Sequence, residues 1–569
     1  MLPVVTIGEQ NFLTLREKNY FYIDKTKFIR DWWLGGDPVT LITRPRRFGK
    51  TLMLDTVKTF FSPEFAGRSD LFEGLSIWKD EQFRQIQGTI PIILLSFAKF
   101  NNNTYEGIIS RIKKSLASIY GLFSSLIDLN KIPDAEKEIF TSVHSSMADD
   151  IAQDSLHYLC KFIAVQHRVK PIILLDEYDT PLQEAWLHDY WDELVNFMRG
   201  FFNATFKDNP WIERGLITGI TRIAKESIFS DMNNLEVVTI TSDLYDDCFG
   251  FTESEVFLAM DDYKLTSKKE VKQWYDGFAF GSQKAIYNPW SIVNYLKKKK
   301  FDSYWADTTS NSLVSELLVH SNAAVKKQIE LLLNGCSITT KLHEQIVFSQ
   351  LYTKKDAVWA LLLACGYVKP LKADCSTKNF ELTLTNHEVK LILEDKISEW
   401  FEELSNEDYT FLQALLDDDI ENMNELMSDI CESTFSYFDI RGSVKNERRE
   451  AENFYHGFVL GLLVTLKDRY TIVSNRESGF GRYDICMYPI NANDHGIVIE
   501  FKSIDTKREM TLDEACANAL RQIKDKDYIK DLLAHTVPRD AIYVYGFAFQ
   551  GKKVLICGGA VDSIDWRRV

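Results

Sequence analysis

Short apolar runs alternate with stretches whose apolar residues recur every three or four positions across the first 225 residues. That alternation predicts strands separated by helices and therefore a parallel sheet with helices on its faces. The runs are VTLIT (39–43), TIPIILLSF (89–97), the apolar part of KPIILLDEYDTP (170–181) and WIERGLITGITRI (211–223). From 251 onward the spacing turns helical, and Thr252 with Glu255 forms a capping box that starts a helix there. Helical spacing continues through about 300–440, a connecting region without a catalytic constellation. The pattern then changes. NERREAENFYHGFVLGLLVTL (446–466) predicts one helix, and YTIVSN (470–475), RYDICMYP (482–489) and GIVIEFKS (496–503) predict three strands. A helix over 511–534 and strands over 541–549 and 553–559 follow. The expected division is 1–250, 251–440 and 441–569.

Composition excludes several classes. The 569 residues are 45% hydrophobic and 26% charged, with few Gly and Pro, as in a globular chain that buries its own cores. No apolar run approaches the ~20 residues that span a bilayer, and the first ten residues lack the pattern of a secretory signal. Nine cysteines without a Cys-x-x-Cys pair argue against a disulfide framework and a structural zinc site, so a reducing cytoplasm is the expected setting. The net charge of -16 argues mildly against nucleic acid, yet its distribution matters more. Residues 401–440 hold twelve Asp and Glu and no Lys or Arg, whereas 441–569 is slightly basic. The acidic stretch has the spacing of solvated amphipathic helices. A sharper alternative is a mask over a basic channel, with Asp417, Asp418 and Asp419 at its centre.

PVTLITRPRRFGKTLMLDTVKTFF (38–61) is a strand, a loop ending Gly-Lys-Thr and a helix, the context a phosphate-binding loop requires. Gly49 would let backbone N–H groups approach a phosphate, Lys50 would reach its β- and γ-phosphates, and Thr51 would hold Mg²⁺. Arg44 stands where the general pattern has Gly, and Arg44, Arg46 and Arg47 could instead touch nucleic acid. Asp176 and Glu177 end the apolar run at 172–175. There an Asp orients water on Mg²⁺ and a Glu positions the attacking water. The next predicted strand, 211–223, ends in Thr218, Thr221 and Arg222, where a polar residue can sense the γ-phosphate.

FYIDKTKFI (21–29), RPRRFGKT (44–51), LLDEYDTP (174–181), GITRIAKESIFSDMNNL (219–235), WYDGFAFG (274–281) and IYNPWSI (286–292) together resemble the AAA-ATPase-like family of bacterial proteins. In that family the loop is Arg-Pro-Arg-Arg-Phe-Gly-Lys-[Ser/Thr], so Arg44 is in pattern. The resemblance implies a P-loop NTPase fold related to the AAA and STAND groups. It implies ATP as ligand, with Arg46, Arg47, Gly49, Lys50, Thr51, Asp176 and Arg222 around it and Thr51 and Asp176 on Mg²⁺. The WYDGF and YNPWS segments are expected to be structured turns packing a lid over the nucleotide.

In the last unit Asp484, Glu500 and Lys502 stand at odd places. Glu500 and Lys502 are two apart on one strand and share a face, and Asp484 can reach them from its neighbour. Two carboxylates suit a hard cation such as Mg²⁺ or Mn²⁺, and a lysine beside them can position water or offset phosphate charge. AENFYHGFVLGLL (451–463), SNRESGFGRYDICM (474–487), IVIEFK (497–502) and ALRQIKDKDY (519–528) resemble the PD-(D/E)xK nuclease superfamily, with Tyr483 where its name has Pro. The resemblance makes Asp484 and Glu500 metal ligands, Lys502 the catalytic lysine and Glu452 the helix-borne acid, with Glu447 and Glu450 as rivals. Gln522 and Tyr528 match the following helix. His456 lies one turn beyond Glu452, and Arg476, Arg482 and Arg521 are candidate phosphate contacts.

The expected fold is therefore α/β: an N-terminal P-loop NTPase with a parallel sheet, a helical middle region and a C-terminal restriction-endonuclease-like domain. The expected activity is an ATP-dependent or ATP-gated, metal-dependent DNA nuclease, with Glu177 serving the ATPase. A partner is nucleic acid, DNA before RNA. No membrane is expected, and an ATP-dependent homo-oligomer is the expected assembly. A second reading is a regulatory NTPase switch whose last domain binds without cutting. A third is a nuclease whose P-loop module binds nucleotide without turnover.

Overall fold

The computed structural model describes the chain except residues 1, 224–227, 230–231, 306–311, 322, 334, 343–347, 349–350, 352–354, 375–376, 405–409, 435–458, 461, 464–465, 467, 475–476, 479–480, 483, 492–493, 505–509, 551–552 and 567–569. The chain divides into two compact units, residues 1–314 with 339–390, and 315–338 with 391–569.

The first unit is built on five parallel strands: β1 (Val39–Thr43), β2 (Ile92–Ser96), β3 (Ile172–Asp176), β4 (Arg214–Gly219) and β5 (Leu235–Val238). Their order is β2-β3-β4-β1-β5. Both faces are covered, so β1 and β3 are buried at every position, as their uninterrupted apolar runs require. The helices that follow the strands include α1 (Lys50–Phe61), α2 (Tyr105–Phe123), α3 (Asp149–His167) and α4 (Thr180–Leu187). Leu54, Val57, Phe60 and Phe61 of α1 pack with Phe28, Trp32 and Leu174 in one core. β5 is a strand that sequence pattern did not reveal, since LEVV (235–238) is too short and half-exposed to stand out.

Beyond the sheet the capping box of Thr252 and Glu255 is formed. Asn288 caps α5 (Pro289–Lys298), its Oδ1 accepting from the Trp290 and Ser291 N–H groups, so the YNPWS segment opens a helix rather than forming the expected structured turn. The middle region is helical but holds a three-stranded sheet of Ile338–Lys341, Val368–Asp374 and Asn379–Leu384. α6 (His387–Leu404) follows it.

The second unit carries α7 (Phe411–Leu416), α8 (Ile420–Thr434), β6 (Tyr470–Ser474), β7 (Ile485–Pro489), β8 (Gly496–Ser503), α9 (Leu512–Asp525), α10 (Lys530–Ala534), β9 (Ile542–Gln550) and β10 (Lys553–Ala560). The strand order is β6-β7-β8-β9-β10, all antiparallel except β8 with β9. α9 and α10 form the crossover that a parallel pair needs. The predicted helix 511–534 is broken, because Asp527 takes a left-handed φ of 51° and Tyr528 turns inward to full burial. α7 and α8 place Phe411, Leu415, Met423 and Met427 in the same core as Ile485, Ile499, Tyr545 and Phe547. The acidic triplet is engaged within this unit. Asp417 accepts from Gln413, Asp418 from the Tyr545 hydroxyl at 2.7 Å, and Asp419 from the Asn422 N–H at the start of α8.

Among the described residues one disulfide, Cys516–Cys557, joins α9 to β10. Spacing did not reveal it, because helix and strand meet only after the fold forms. Cys160, Cys248, Cys336, Cys365, Cys431 and Cys486 are free. No helix among the described residues is long and apolar enough to cross a membrane.

Candidate functional site

Gly49 adopts a left-handed φ of 80° at the N-terminus of α1, which an L-residue resists and glycine accepts. The loop it closes opens into a cavity of about 960 Å³ lined by Arg46, Arg47, Gly49, Lys50, Thr51, Asp176 and Glu177, among others. Lys50 is buried and folded back on its own loop, donating to the carbonyls of Arg44 and Pro45 at 2.9 Å. Burial lowers its pKa, so an arriving anion would both replace those carbonyls and stabilise the charge.

Asp176 ends β3 where β2 and β4 flank it. Its Oδ2 accepts from Thr51 Oγ1 at 2.9 Å and from Ser96 Oγ at 3.4 Å, and its Oδ1 from Thr218 Oγ1 at 2.7 Å. Hydroxyl groups from three elements thus converge on one carboxylate beside the loop. Glu177 lines the same cavity at a left-handed φ of 52°, and burial raises its pKa. Sequence reasoning passed over Asp179, which is fully buried. Its Oδ2 accepts from the Ile220 N–H at 3.0 Å, the Thr221 N–H at 2.8 Å and Thr221 Oγ1 at 2.7 Å. The signal available was a third acid in LLDEYDTP, one residue before the helix. The close approach of these elements needs Gly219, where a Cβ would meet the Tyr178 ring at 2.6 Å.

Two arginine expectations change. Arg44 is fully buried and cannot reach nucleic acid. It donates to the carbonyls of Thr43 at 2.9 Å and Thr239 at 2.7 Å, and its guanidinium lies 4.7 Å from the Phe280 ring centre. Burial lowers its pKa to about 10. Arg222 is half-buried after β4 and is not part of the cavity lining, while Thr221 is spent on Asp179. Arg47 stacks its guanidinium 4.4 Å from the Trp290 ring centre at the cavity wall.

In the second unit β7 pairs Ile485 with Ile499 of β8, so Asp484, just before β7 rather than inside it, falls beside Glu500. Asp484 Oδ2 accepts the Phe501 N–H at 2.8 Å. Lys502 Nζ lies 3.0 Å from Glu500 Oε1. Gln522 of α9 donates to the same oxygen and, at 3.2 Å, contacts the Tyr528 hydroxyl. α9 comes this close because Gly546, the β9 neighbour of Glu500, has no side chain. A Cβ there would sit 2.8 Å from the Cys516 carbonyl oxygen. Glu500 is 2% exposed, and its Oε2 is buried without a hydrogen-bond partner among the described residues. Burial, then the nearby Asp484, pushes its pKa up to about 8. Burial also raises that of Asp484. An orphaned carboxylate oxygen beside a second carboxylate is the donor set that a hard cation satisfies. Among the described residues no group of three or more His, Cys, Asp or Glu converges on one point. Glu447, Glu450, Glu452, His456, Arg476 and Tyr483 lie outside the described residues, as does the side chain of Arg482. Arg521 is exposed on α9 and donates to Asn518 at 2.8 Å.

Comparison with known proteins finds a family match within each unit. Residues 6–229 match the AAA-ATPase-like family, described as a predicted AAA-ATPase, and residues 450–558 match the PD-(D/E)XK nuclease superfamily. An uncharacterized protein in the vnfD 5′ region of Azotobacter chroococcum mcd 1 is 24% identical over 567 residues, covering 98% of both chains. A signal transduction ATPase with numerous domains and a tetratricopeptide repeat sensor, from Pyrococcus horikoshii, aligns at 12% identity and a TM-score of 0.24, over 78% of this chain and 53% of its own. The chain thus carries an AAA-ATPase-like domain at residues 6–229 and a PD-(D/E)xK nuclease superfamily domain at residues 450–558.

Proposed function

We propose that the protein is an ATP-gated, metal-dependent nuclease acting on DNA. The observation that carries the reading is Glu500, beside Asp484, whose Oε1 takes Lys502 while its buried Oε2 has no partner among the described residues. A fold does not bury such an atom without cost, and a bound cation relieves it. Asp484 and Glu500 would hold Mg²⁺ or Mn²⁺, with Glu452 the proposed third acid. When bound, the cation supplies a polarised phosphoryl oxygen and an activated water. The chain's own residues do the rest. Lys502 offsets charge at the scissile phosphate and orients water. Gln522, bonded to Glu500 and Tyr528, fixes the carboxylate's direction.

In the first unit Arg46, Arg47, Gly49 and Lys50 take the phosphates of ATP. Thr51 and Asp176 hold its Mg²⁺, and Glu177 positions the attacking water. We keep Arg222, three residues beyond the end of β4, as a proposed nucleotide contact. The three-part division 1–250, 251–440 and 441–569 is proposed as the functional one, and ATP-dependent self-association as the assembly.

Plasmid and linear DNA incubated with Mg²⁺ or Mn²⁺, with and without ATP, provide the test. Wild-type cutting should require the divalent ion and respond to ATP, and Lys502→Ala should abolish it. Lys50→Ala should lose the response to ATP. ATP turnover without cutting under any condition would replace the nuclease with a binding switch.

A further inference from the structure

The first turn of α5 is held from two sides. Toward the phosphate-binding loop, Asn288 Nδ2 donates to the Arg46 carbonyl at 3.4 Å and Trp290 carries the Arg47 guanidinium. On the other side Ser291 Oγ donates to both oxygens of Glu388, at 3.0 and 2.9 Å. Glu388, in the first turn of α6, also accepts the Trp305 N–H at 2.7 Å. Asn288, Ser291 and Glu388 are all fully buried. A carboxylate is a costly group to bury, so these directed bonds, not packing alone, account for its place.

The same short segment reaches the loop a second way. Thr385, three residues before Glu388, donates its hydroxyl to the Gly366 carbonyl at 2.7 Å. Gly366, at a φ of 87°, lies so close to the loop that a Cβ would stand 3.1 Å from the Pro45 ring. Residues 385–388 therefore bear on Pro45 through Gly366, and on Arg46 and Arg47 through α5. Of those loop residues Pro45, together with Arg44, also gives its carbonyl to Lys50. A triphosphate that draws Lys50 off the Arg44 and Pro45 carbonyls changes the loop where both contacts hold it.

We propose that Glu388 is a positioning residue for the nucleotide: through Ser291 it seats the first turn of α5, and so Arg46 and Arg47, against the ATP-binding cavity. The segment 385–388 then registers whether the loop is filled. Lys390, two residues further along α6, is the last residue of the first unit. This proposal rests on the reading that the cavity takes ATP.

Titration of the full-length protein with a fluorescent mant-ATP analogue and Mg²⁺ tests it. The proteins are wild type, Lys50→Ala, Glu388→Ala, Glu388→Gln, Ser291→Ala, Trp290→Ala and the Glu388→Ala/Trp290→Ala double variant, each checked for folding by circular dichroism. Glu388→Ala should weaken binding about tenfold, the size of a lost charge-assisted bond. Glu388→Gln, which keeps the shape and part of the bonding, should recover most of that. The double variant should bind no more weakly than its weaker parent, because both changes unseat the same turn. A wild-type Kd for Glu388→Ala, or effects that multiply, overturns the proposal. Should Glu388→Ala fail to fold, Ser291→Ala decides, and an unchanged Kd there has the same force. Wild-type protein that binds no better than Lys50→Ala overturns the nucleotide reading and this proposal with it. Binding by wild type with a silent Glu388→Ala overturns the positioning role alone.

Discussion

A carboxyl group buried with one oxygen unpartnered weakens the fold that carries it, and Glu500 is in that position. At pH 7, below its folded pKa of about 8, it holds a proton that the unfolded chain would release. Glu500→Gln removes the cost of taking up that proton while keeping the shape. It should raise the stability of the second unit by about 1–3 kcal/mol and abolish cleavage. Thermal unfolding beside the DNA assay checks both, and a variant that is less stable would remove the strain argument. Arg44 is the converse case. Replacing it with Gly would restore the general loop pattern, yet it would remove the bonds Arg44 gives to the carbonyls of Thr43 and Thr239 and open a void beside Phe280. Arg44→Gly should cost about 3 kcal/mol or more in thermal or urea unfolding, without improving ATP affinity. Glu388 supplies the pH dependence. Burial, the larger cause, and Asp302 raise its pKa to about 7 against bonds from Trp305 and Ser291 that lower it. A carboxyl raised on folding contributes stability that is full below its unfolded pKa of 4.5 and lost as pH rises through 7. Wild type should therefore lose on the order of 3 kcal/mol relative to Glu388→Gln between those limits, read from unfolding of the first unit across pH.

At the scale of elements, the second site depends on how closely α9 lies on the sheet. Gly546 sets that distance, and the Thr511–Glu514 capping box sets where the helix starts. Gly546→Val should push α9 outward, costing about 1–3 kcal/mol by overpacking. It should also separate Gln522 from Glu500, so DNA cleavage should fall with stability. A variant that cuts as wild type does would show that Gln522 need not approach. Gly546 also illustrates what sequence pattern can carry. β1, β3 and β8 were legible because they are buried, β-branched runs, and Glu500 stood out by ending one. The pairing of Asp484 with Glu500 was legible from the two-residue period of strands and their adjacency. What escaped were features made by tertiary contact. The strands inside the helical middle, the break at Asp527, the Cys516–Cys557 pair and the role of Asp179 each depend on a neighbour distant in sequence. YNPWS was expected as a structured turn, but Pro at the first position of a helix starts one when Asn precedes it as the cap.

At the scale of the whole molecule, two units with separate apolar cores should unfold as two events, since cooperativity follows shared packing. A ligand that binds one folded unit and not its unfolded chain stabilises that unit by mass action, by about 2.7 kcal/mol at a hundred times its Kd. ATP with Mg²⁺ should therefore raise the calorimetric transition that belongs to the first unit. The second transition should respond instead to Mg²⁺ or Mn²⁺ alone, which satisfies Glu500. Lys50→Ala should remove the first response and keep the second, and Glu500→Gln should do the reverse. That crossed pattern separates the two sites without any catalytic readout, so it holds even if the DNA offered is not the natural substrate. A single transition moved equally by both ligands would mean that the two cores melt as one. ATP would then act on the second unit's stability through the first, a tighter coupling than gating by nucleotide requires.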